Sequence, residues 1–252
     1  MTKTHEKLVA TSFGPQAEAY VASPVHAQGA DLARIAARLH GHGAARVLDL
    51  GCGGGHVSYC AAAETGEVVA YDLCEPMLAA VAKIASQRGL ANITCRQGPA
   101  EDLPFADGAF DFIISRTSAH HWTDIRAALR EAGRVLKAGG AAIFIDTVAP
   151  GNPLLDTFLQ CVELLRDPSH VRDYSIDEWR ALLMTAGFTP HEPIRERLRL
   201  DFASWIARIA TPALQAAAIR ALQAQMAREV TEHFEIEPDG SFTIDKFYCE
   251  AH

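Results

Sequence analysis

The sequence predicts an α/β protein built on a doubly wound parallel β-sheet. Strand-like and helix-like segments alternate from about residue 45 to residue 147. The connections between consecutive strands have the length of helical crossovers, which forces neighbouring strands to pair in parallel. The first strand-like segment also runs directly into a glycine-rich turn and a helical pattern, as ligand-binding α/β sheets do.

Five strands are predicted in this part of the chain, and helical patterns lie between them. The strands fall near residues 45–50, 67–72, 92–96, 110–115 and 141–146, and the helical patterns at 56–63, 75–88 and 124–137. The last helical pattern runs into Lys137-Ala138-Gly139-Gly140. A cation followed by glycines is typical of a helix C-terminus, so the helix is predicted to end there.

Two regions flank this core within one predicted domain, residues 1–252. Residues 1–43 have a helical pattern, strongest at 31–39, and are predicted to form an N-terminal flap. Residues 148–252 follow the core, which spans 44–147, and contain helical insertions and closing strands. The insertions begin with a helix at 153–165 and another opened by a capping box at Ser175-Ile176-Asp177-Glu178. A strand near 191–200, helices at 202–234 and a strand at 241–248 complete the chain.

Two apolar stripes in the insertions suggest a helical lid over an apolar pocket. Their members recur at helical spacing and are Leu154, Leu155, Phe158, Leu159, Val162 and Leu165 in the first insertion, and Leu214, Ala218, Leu222, Met226, Val230 and Phe234 in the second. Stripes of this kind also pack against a sheet, because an amphipathic helix must bury its apolar face. Their place after the core strands favours the lid, and with it a small apolar or aromatic substrate.

Composition favours a single-domain cytoplasmic protein and argues against a nucleic-acid-binding one. The 252 residues are 49% hydrophobic, enough to bury the core of one domain. The net charge of −8 argues against a nucleic-acid partner, because neutralising phosphates requires a basic face. The 6 cysteines form no zinc-spaced pair and suggest a reducing cytosol. No apolar run reaches membrane-spanning length, so a cytoplasmic protein is expected.

Residues 47–55 carry the strongest functional signal. The strand ends at Asp49 and Leu50, and glycines at 51, 53 and 55 remove the Cβ atoms that would block left-handed backbone and close approach of a ligand. On turn geometry alone the ligand could be NAD, FAD or S-adenosylmethionine (SAM).

Charge separates these ligands. The carboxylate of Asp49, two residues before Gly51, would face the pyrophosphate of a dinucleotide but would attract the ammonium and sulfonium of SAM. The last glycine of the dinucleotide fingerprint is also missing, because His56 stands there. Asp72 ends the next strand, about 20 residues on, where a carboxylate accepts ribose hydroxyls of either ligand.

Five ordered motifs make the chain resemble the class I SAM-dependent methyltransferases, and particularly the ubiquinone and menaquinone C-methyltransferase group with its uncharacterised bacterial relatives. The motifs are Asp49-Leu50-Gly51-Cys52-Gly53-Gly54-Gly55, Tyr71-Asp72, Ala100-Glu101-Asp102-Leu103-Pro104-Phe105, Ser118-Ala119-His120-His121-Trp122 and Val135-Leu136-Lys137-Ala138-Gly139-Gly140. The resemblance extends from residue 13 to the C-terminus. It implies a Rossmann-like, seven-stranded, mostly parallel sheet whose last strand is antiparallel.

The resemblance also assigns cofactor contacts. Gly51, Cys52 and Gly53 would lie under the methionine part of SAM, with Asp49 near its amino group and Asp72 on its ribose. Further contacts are implied for Ser115 and Arg116 at the end of the fourth strand, for Leu73 and Met77 against adenine, and for Tyr20 as a closing side chain from the flap.

The adenine segment departs from the family pattern. Pro99 stands where many relatives carry aspartate, which removes an acceptor for the exocyclic amine of adenine. Pro99, Ala100 and Glu101 would then form this part of the site, with Glu101 or main-chain groups accepting the hydrogen bond.

His120 and His121 are the candidate catalytic residues. They follow the fourth strand at the carboxyl edge of the sheet, where open α/β folds place their reaction centres. A neutral imidazole could take a proton from the methyl acceptor near neutral pH. The other interpretation is that the histidines only hold a loop by hydrogen bonds.

These observations predict a methyltransferase that moves the sulfonium methyl group of SAM to a small molecule held in a water-poor pocket. The alternatives are an NAD-dependent oxidoreductase and a SAM-binding protein without transferase activity. No metal site is predicted, because Asp111 and Asp124 near the same edge lack a compact set of further ligands.

Overall fold

The computed structural model of the chain describes residues 4–17 and 29–252. Its strands are β1 (Arg46–Leu50), β2 (Glu67–Asp72), β3 (Ile93–Gln97), β4 (Phe110–Arg116), β5 (Leu136–Val148), β6 (Ile194–Leu200) and β7 (Phe242–Ala251). Its α-helices are α1 (His5–Phe13), α2 (Ala30–Leu39), α3 (His56–Ala62), α4 (Glu75–Gln87), α5 (Ile125–Val135), α6 (Pro153–Arg166), α7 (Ile176–Thr185), α8 (Phe202–Ala207), α9 (Ala213–Gln225) and α10 (Arg228–His233). Short 3₁₀ turns lie at Gly14–Gln16 and Ala119–His121.

The strands form a seven-stranded sheet in the order β3-β2-β1-β4-β5-β7-β6. β1 to β5 pair in parallel, and β7 runs antiparallel to both β5 and β6. The chain winds outward from β1 through β2 to β3 and then returns to place β4 on the other side of β1. Ligands of open α/β sheets bind where the strand order reverses in this way, at the carboxyl ends of β1 and β4. The predicted fold class is confirmed.

The two faces of the sheet are buried by different helices. Leu48 and Leu50 point into one core layer, whereas Val47 points into the other. This alternation follows from the two-residue period of a strand. The first layer contains residues of α5 and α7, and the second contains residues of α2 and α3.

Local capping fixes several helix starts. The Asp124 side chain accepts a hydrogen bond from Ala127 N at the start of α5. Ser175 and Glu178 form the predicted capping box of α7, each accepting from the backbone of the other. These side chains satisfy amide groups that have no partner within the helix.

The predicted glycine stop after α5 is wrong in its detail. α5 ends at Val135, and Leu136 already pairs with Phe110 as the first residue of β5. Gly139, with φ of 77°, lies where the register between β4 and β5 shifts. The glycines therefore let β5 bend into register and do not cap a helix.

The two apolar stripes of the insertions build a core of their own. Phe158, Leu159, Val162, Val230 and Phe234 are buried together with residues of β6 and β7. The rings of Phe158 and Phe234 lie 4.9 Å apart. Leu154 and Leu214, the first members of the two stripes, are 48% and 83% exposed. Within the described residues, no helix is both long enough and apolar enough to span a membrane.

Candidate active site

The glycine turn after β1 is held by the neighbouring strand. The amides of Gly51 and Cys52 both donate to the carbonyl of Tyr71, at 2.8 and 3.0 Å. Gly51 has φ of 75°, and a Cβ atom there would lie 1.8 Å from Ser118 Oγ. Gly53 has φ of 48°, and a Cβ atom there would meet nothing within 4 Å. Gly51 is therefore required by packing, whereas Gly53 leaves its backbone open to a ligand.

One cavity at the carboxyl edge of the sheet collects most of the predicted site residues. Those that line it are Asp49, Gly51, Cys52, Gly53, Asp72, Leu73, Met77, Pro99, Ala100, Glu101, Arg116, His120 and His121. Further lining comes from α1 (His5, Glu6, Val9 and Phe13), from the segment after β4 (Thr117, Ser118, Trp122 and Thr123) and from the insertion (Arg166 and Arg208). The cavity is thus continuous from the glycine turn to the histidines.

Asp49 of β1 and Asp72 of β2 line the cavity from adjacent strands. Ser58 Oγ donates to Asp49 at 2.6 Å, and burial raises the pKa of Asp49 to about 7. The two Asp72 oxygens accept from the amides of Gly53 and Cys74, each at 2.8 Å. Burial also raises the pKa of Asp72. A cationic ligand in the cavity would stabilise the charged form of both acids.

The adenine segment is organised by Tyr71 and Glu101. The Tyr71 hydroxyl donates to the carbonyl of Pro99 at 3.1 Å. Glu101 Oε1 accepts from the amide and hydroxyl of Thr123, at 2.8 and 2.9 Å, so this oxygen already anchors the loop after the histidines. The other carboxylate oxygen of Glu101 and nearby main-chain carbonyls are therefore the candidates to accept from the exocyclic amine of adenine. Leu73 and Met77 line the cavity as expected.

One predicted contact, Ser115, differs from expectation, Arg116 lines the cavity with an ion-pair partner, and Tyr20 lies outside the described residues. Ser115 is buried in β4 beside Phe144 of β5 and does not line the cavity, because neighbouring side chains of a strand face opposite ways. Arg116 does line it but is tied to the flap, since its guanidinium donates to both carboxylate oxygens of Asp31 at 2.7 and 3.3 Å. Tyr20 belongs to the segment that the structure does not describe.

The histidines occupy the 3₁₀ turn after β4, and Asp146 of β5 orients that turn. Asp146 accepts from the amide of Ala119 at 2.9 Å and from His120 Nδ1 at 2.6 Å. Burial alone would lower the pKa of His120, but the charge and hydrogen bond of Asp146 raise it to about 9. His120 is therefore an imidazolium at neutral pH.

His121 has the opposite electrostatic setting. Burial, together with the charge of His120, lowers the pKa of His121. Its Nδ1 donates to the carbonyl of Ser169 at 3.0 Å, and its ring packs edge-on against Phe13 at 5.1 Å. This neutral imidazole joins α1 to the turn that carries His120.

The sequence interpretation missed the groups behind His120. Asp146 follows the apolar run 141–145 of β5, as Asp49 and Asp72 follow apolar runs of β1 and β2, so this signal could have been found. Asp173 and Arg166 carry no such signal because they lie in the insertion, whose path was unknown. His120, Asp146 and Asp173 bring possible metal-ligand atoms within 4.8 Å of one another. His120 Nδ1 and Asp146 Oδ1 are, however, joined to each other by a hydrogen bond.

Comparison with known proteins identifies the family. Residues 48–144 match the family described as "Methyltransferase domain". YafE of Escherichia coli (strain K12), an uncharacterised protein, is 49% identical over 198 residues, which are 79% of this chain and 96% of that protein. YcgJ of Bacillus subtilis (strain 168), an uncharacterised methyltransferase, is 37% identical over 203 residues, 81% of this chain and 80% of that protein.

A solved structure and a named enzyme extend the comparison. The crystal structure of YcgJ superposes with a TM-score of 0.85 and 32% identity, covering 88% of this chain and 97% of that chain. Demethylmenaquinone methyltransferase of Lactiplantibacillus plantarum is 36% identical over 123 residues, 47% of this chain and 52% of that protein.

The family match indicates S-adenosylmethionine as the cofactor, and the glycine turn lies in one cavity with Asp49 and Asp72. The chain therefore belongs to the SAM-dependent methyltransferases.

Proposed function

We propose that the protein transfers the methyl group of SAM to a small molecule with an apolar or aromatic body. The observation that carries this proposal is the continuity of the cavity from the glycine turn and Asp72 to His120. A cofactor seated on the glycine turn leaves the remaining space for an acceptor in the same cavity. Such an arrangement accelerates transfer by holding donor and acceptor in line and excluding water.

Support for an apolar body comes from Phe13 and Trp122, and not from the predicted helical lid. Val9, Phe13 and Trp122 line the cavity. Within the described residues, no member of the two insertion stripes lines it, since most of them pack against β6 and β7. The lid argument therefore does not support an apolar acceptor, whereas the α1 face and Trp122 do. The relative named demethylmenaquinone methyltransferase is consistent with an aromatic ring in this position.

We propose His120 as the catalytic residue that contacts the acceptor, with Asp146 as its positioning residue and His121 as the second histidine at the reaction centre. The sequence suggested a neutral imidazole that takes a proton. Because Asp146 keeps His120 protonated at neutral pH, the imidazolium instead attracts an acceptor that is already ionised when it binds. The negative charge of that acceptor is neutralised as its bond to the methyl carbon forms and the carbon–sulfur bond of SAM breaks. An ionised acceptor is the better nucleophile toward a sulfonium.

Turnover of a metabolite extract tests the acceptor proposal. The protein is incubated with methyl-labelled SAM and a bacterial small-molecule extract, and the products are separated by reversed-phase chromatography. We expect label in a retained, ultraviolet-absorbing product, with formation of an equal amount of S-adenosylhomocysteine. Label found only in unretained polar compounds would contradict the apolar body. Binding of SAM with no labelled product from any extract would contradict the transferase itself.

A further inference from the structure

One wall of the cavity is basic, and it is formed by the turn after β4 and by the insertion. It contains His120, Arg166 and Arg208. These side chains come from three separate segments: the turn after β4, the last residue of α6 and the residue that caps the C-terminus of α8. Cations are favoured at helix C-termini because they face the negative end of the helix dipole. The insertion therefore contributes two positive charges to the cavity lining, whereas most residues of its apolar stripes pack with β6 and β7.

Arg166 is held in place by Trp205. Its guanidinium lies over the indole ring at 4.9 Å, and its Nε donates to the carbonyl of Trp205 at 3.1 Å. The Arg166 side chain is only 11% exposed, although it carries a full charge. A guanidinium fixed by stacking keeps its remaining N–H groups preorganised in a planar fork.

Carboxylates lie near this wall but behind it. Glu163, Asp146, Asp167 and Asp173 are buried, and among the described residues that line the cavity none of the four appears. The acids that do line the cavity are Glu6 of α1 and the cofactor-side residues Asp49, Asp72 and Glu101.

Among the described residues, Glu163 forms an ion pair with Arg166. Its Oε2 stands 3.7 Å from Arg166 Nη1, beyond hydrogen-bonding distance. Burial raises the pKa of Glu163, which weakens it as a counter-ion. His120, Arg166 and Arg208 thus line the cavity, whereas these four carboxylates do not.

We propose that the methyl acceptor carries a carboxylate, and that Arg166 and Arg208 bind it while its apolar body lies against Phe13 and Trp122. This inference rests on the proposed methyl transfer and adds the charge of the substrate. Guanidinium groups match carboxylates in a bidentate geometry, and both oxygens of the group would be satisfied at this wall. The neighbouring imidazolium of His120 would add to the attraction.

Binding of benzoate and benzamide to the protein saturated with S-adenosylhomocysteine tests this proposal. The two probes share an aromatic ring and differ in charge. Calorimetry should give benzoate a dissociation constant on the order of millimolar, and benzamide should bind at least about tenfold more weakly. Arg166→Gln and Arg208→Gln should each weaken benzoate about tenfold or more and leave the affinity for S-adenosylhomocysteine within about twofold. Arg228→Gln, at a residue of α10 whose side chain is 84% exposed, is the matched control and should change neither.

Several outcomes would overturn the inference. Equal affinities for benzoate and benzamide would show that the site does not recognise the carboxylate charge. Absence of benzoate binding would also contradict the proposal. Parallel loss of benzoate and S-adenosylhomocysteine in the arginine variants would assign the arginines to the carboxylate of the cofactor. If Arg166→Gln unfolds because Trp205 loses its partner, Arg208→Gln and the charge-conserving Arg166→Lys decide the question. Failure of the wild-type protein to bind S-adenosylhomocysteine would contradict the proposed function, which is a separate result.

Discussion

We expect His120→Ala to lower kcat/KM for methyl transfer by about 10²–10⁴-fold, with the affinity for S-adenosylhomocysteine nearly unchanged. His120 lines the part of the cavity that we propose holds the acceptor and is hydrogen-bonded to Asp146 at 2.6 Å, whereas the proposed cofactor contacts lie around Asp72 and the glycine turn. Removing the imidazolium therefore removes charge stabilisation from the acceptor and leaves the cofactor part of the cavity intact. Steady-state kinetics and calorimetry on the same preparation measure the two effects.

His40→Ala is a suitable control because His40, the residue directly after α2, has a side chain that is 82% exposed, and His40 does not line the cavity. It should leave kcat/KM within about twofold, as surface substitutions away from a site usually do. A loss smaller than about tenfold in His120→Ala would leave this histidine with a packing role. The assignment of the chain to the methyltransferase family would not be affected by that result.

The pH profile of the wild type separates an imidazolium from a neutral base. The pKa of His120 is raised to about 9, so the imidazolium form is present below that pH and is lost as pH rises through it. Activity should therefore decrease above about pH 9. Asp146→Asn removes the charge that raises the pKa of His120, so in this variant the decrease should occur at lower pH. Activity that rises toward pH 9 would indicate a neutral base. The titratable or charged groups that act on His120 are Asp146, Asp173, Glu163, His121 and His170.

Phe158→Ala should lower the free energy of unfolding by about 3–5 kcal/mol. Phe158 is 3% exposed and packs on Phe234 in the core that α6 shares with β6 and β7. Truncation leaves a cavity that this packed cluster can fill only in part. Urea unfolding measures the change, while acceptor KM in the remaining folded protein should stay close to that of the wild type.

Leu154→Ala tests the same helix at an exposed position. Leu154 is 48% exposed, so its truncation should change stability by no more than about 0.5 kcal/mol. If Phe158→Ala left stability unchanged but raised the acceptor KM, the stripe would form a lid over the acceptor and our account of the insertion would be wrong.

The sheet was predictable from the sequence because its signals are local. β2 has the predicted bounds, and β1 and β4 differ from prediction by one residue at an end. An apolar run that ends in an acid and is followed by glycines predicts a strand and a ligand-binding turn from neighbouring residues alone. For the same reason the sequence predicted that Asp49 and Asp72 would lie in one site, since parallel strands end at one edge of a sheet, and both line the cavity.

Side-chain direction and long-range packing were not predictable in this way. Ser115 and Arg116 are neighbours, yet only Arg116 reaches the cavity, and the sequence does not say which face of β4 is the ligand side. Arg166, the last residue of α6, lines the cavity while its side chain contacts Trp205 of α8, and this contact between two helices distant in the sequence leaves no local signal. Helical periodicity showed that α6 has an apolar face, but it could not distinguish a substrate from β6 and β7 as the surface that covers it.

The most direct test of the account is whether Asp72 holds the ribose of the cofactor in this cavity. Calorimetry should compare S-adenosylhomocysteine with its 2′,3′-dideoxyribose analogue in the wild type and in Asp72→Ala, with Asp102→Ala as an acidic control outside the cavity lining. A charge-assisted hydrogen bond contributes roughly 1.5–3 kcal/mol. We therefore predict that Asp72→Ala binds S-adenosylhomocysteine about ten- to a hundredfold more weakly, and that the analogue loses affinity in the wild type but not in the variant. Unchanged affinity in a folded Asp72→Ala protein, or the same loss for both ligands, would contradict the assignment of this cavity to the cofactor.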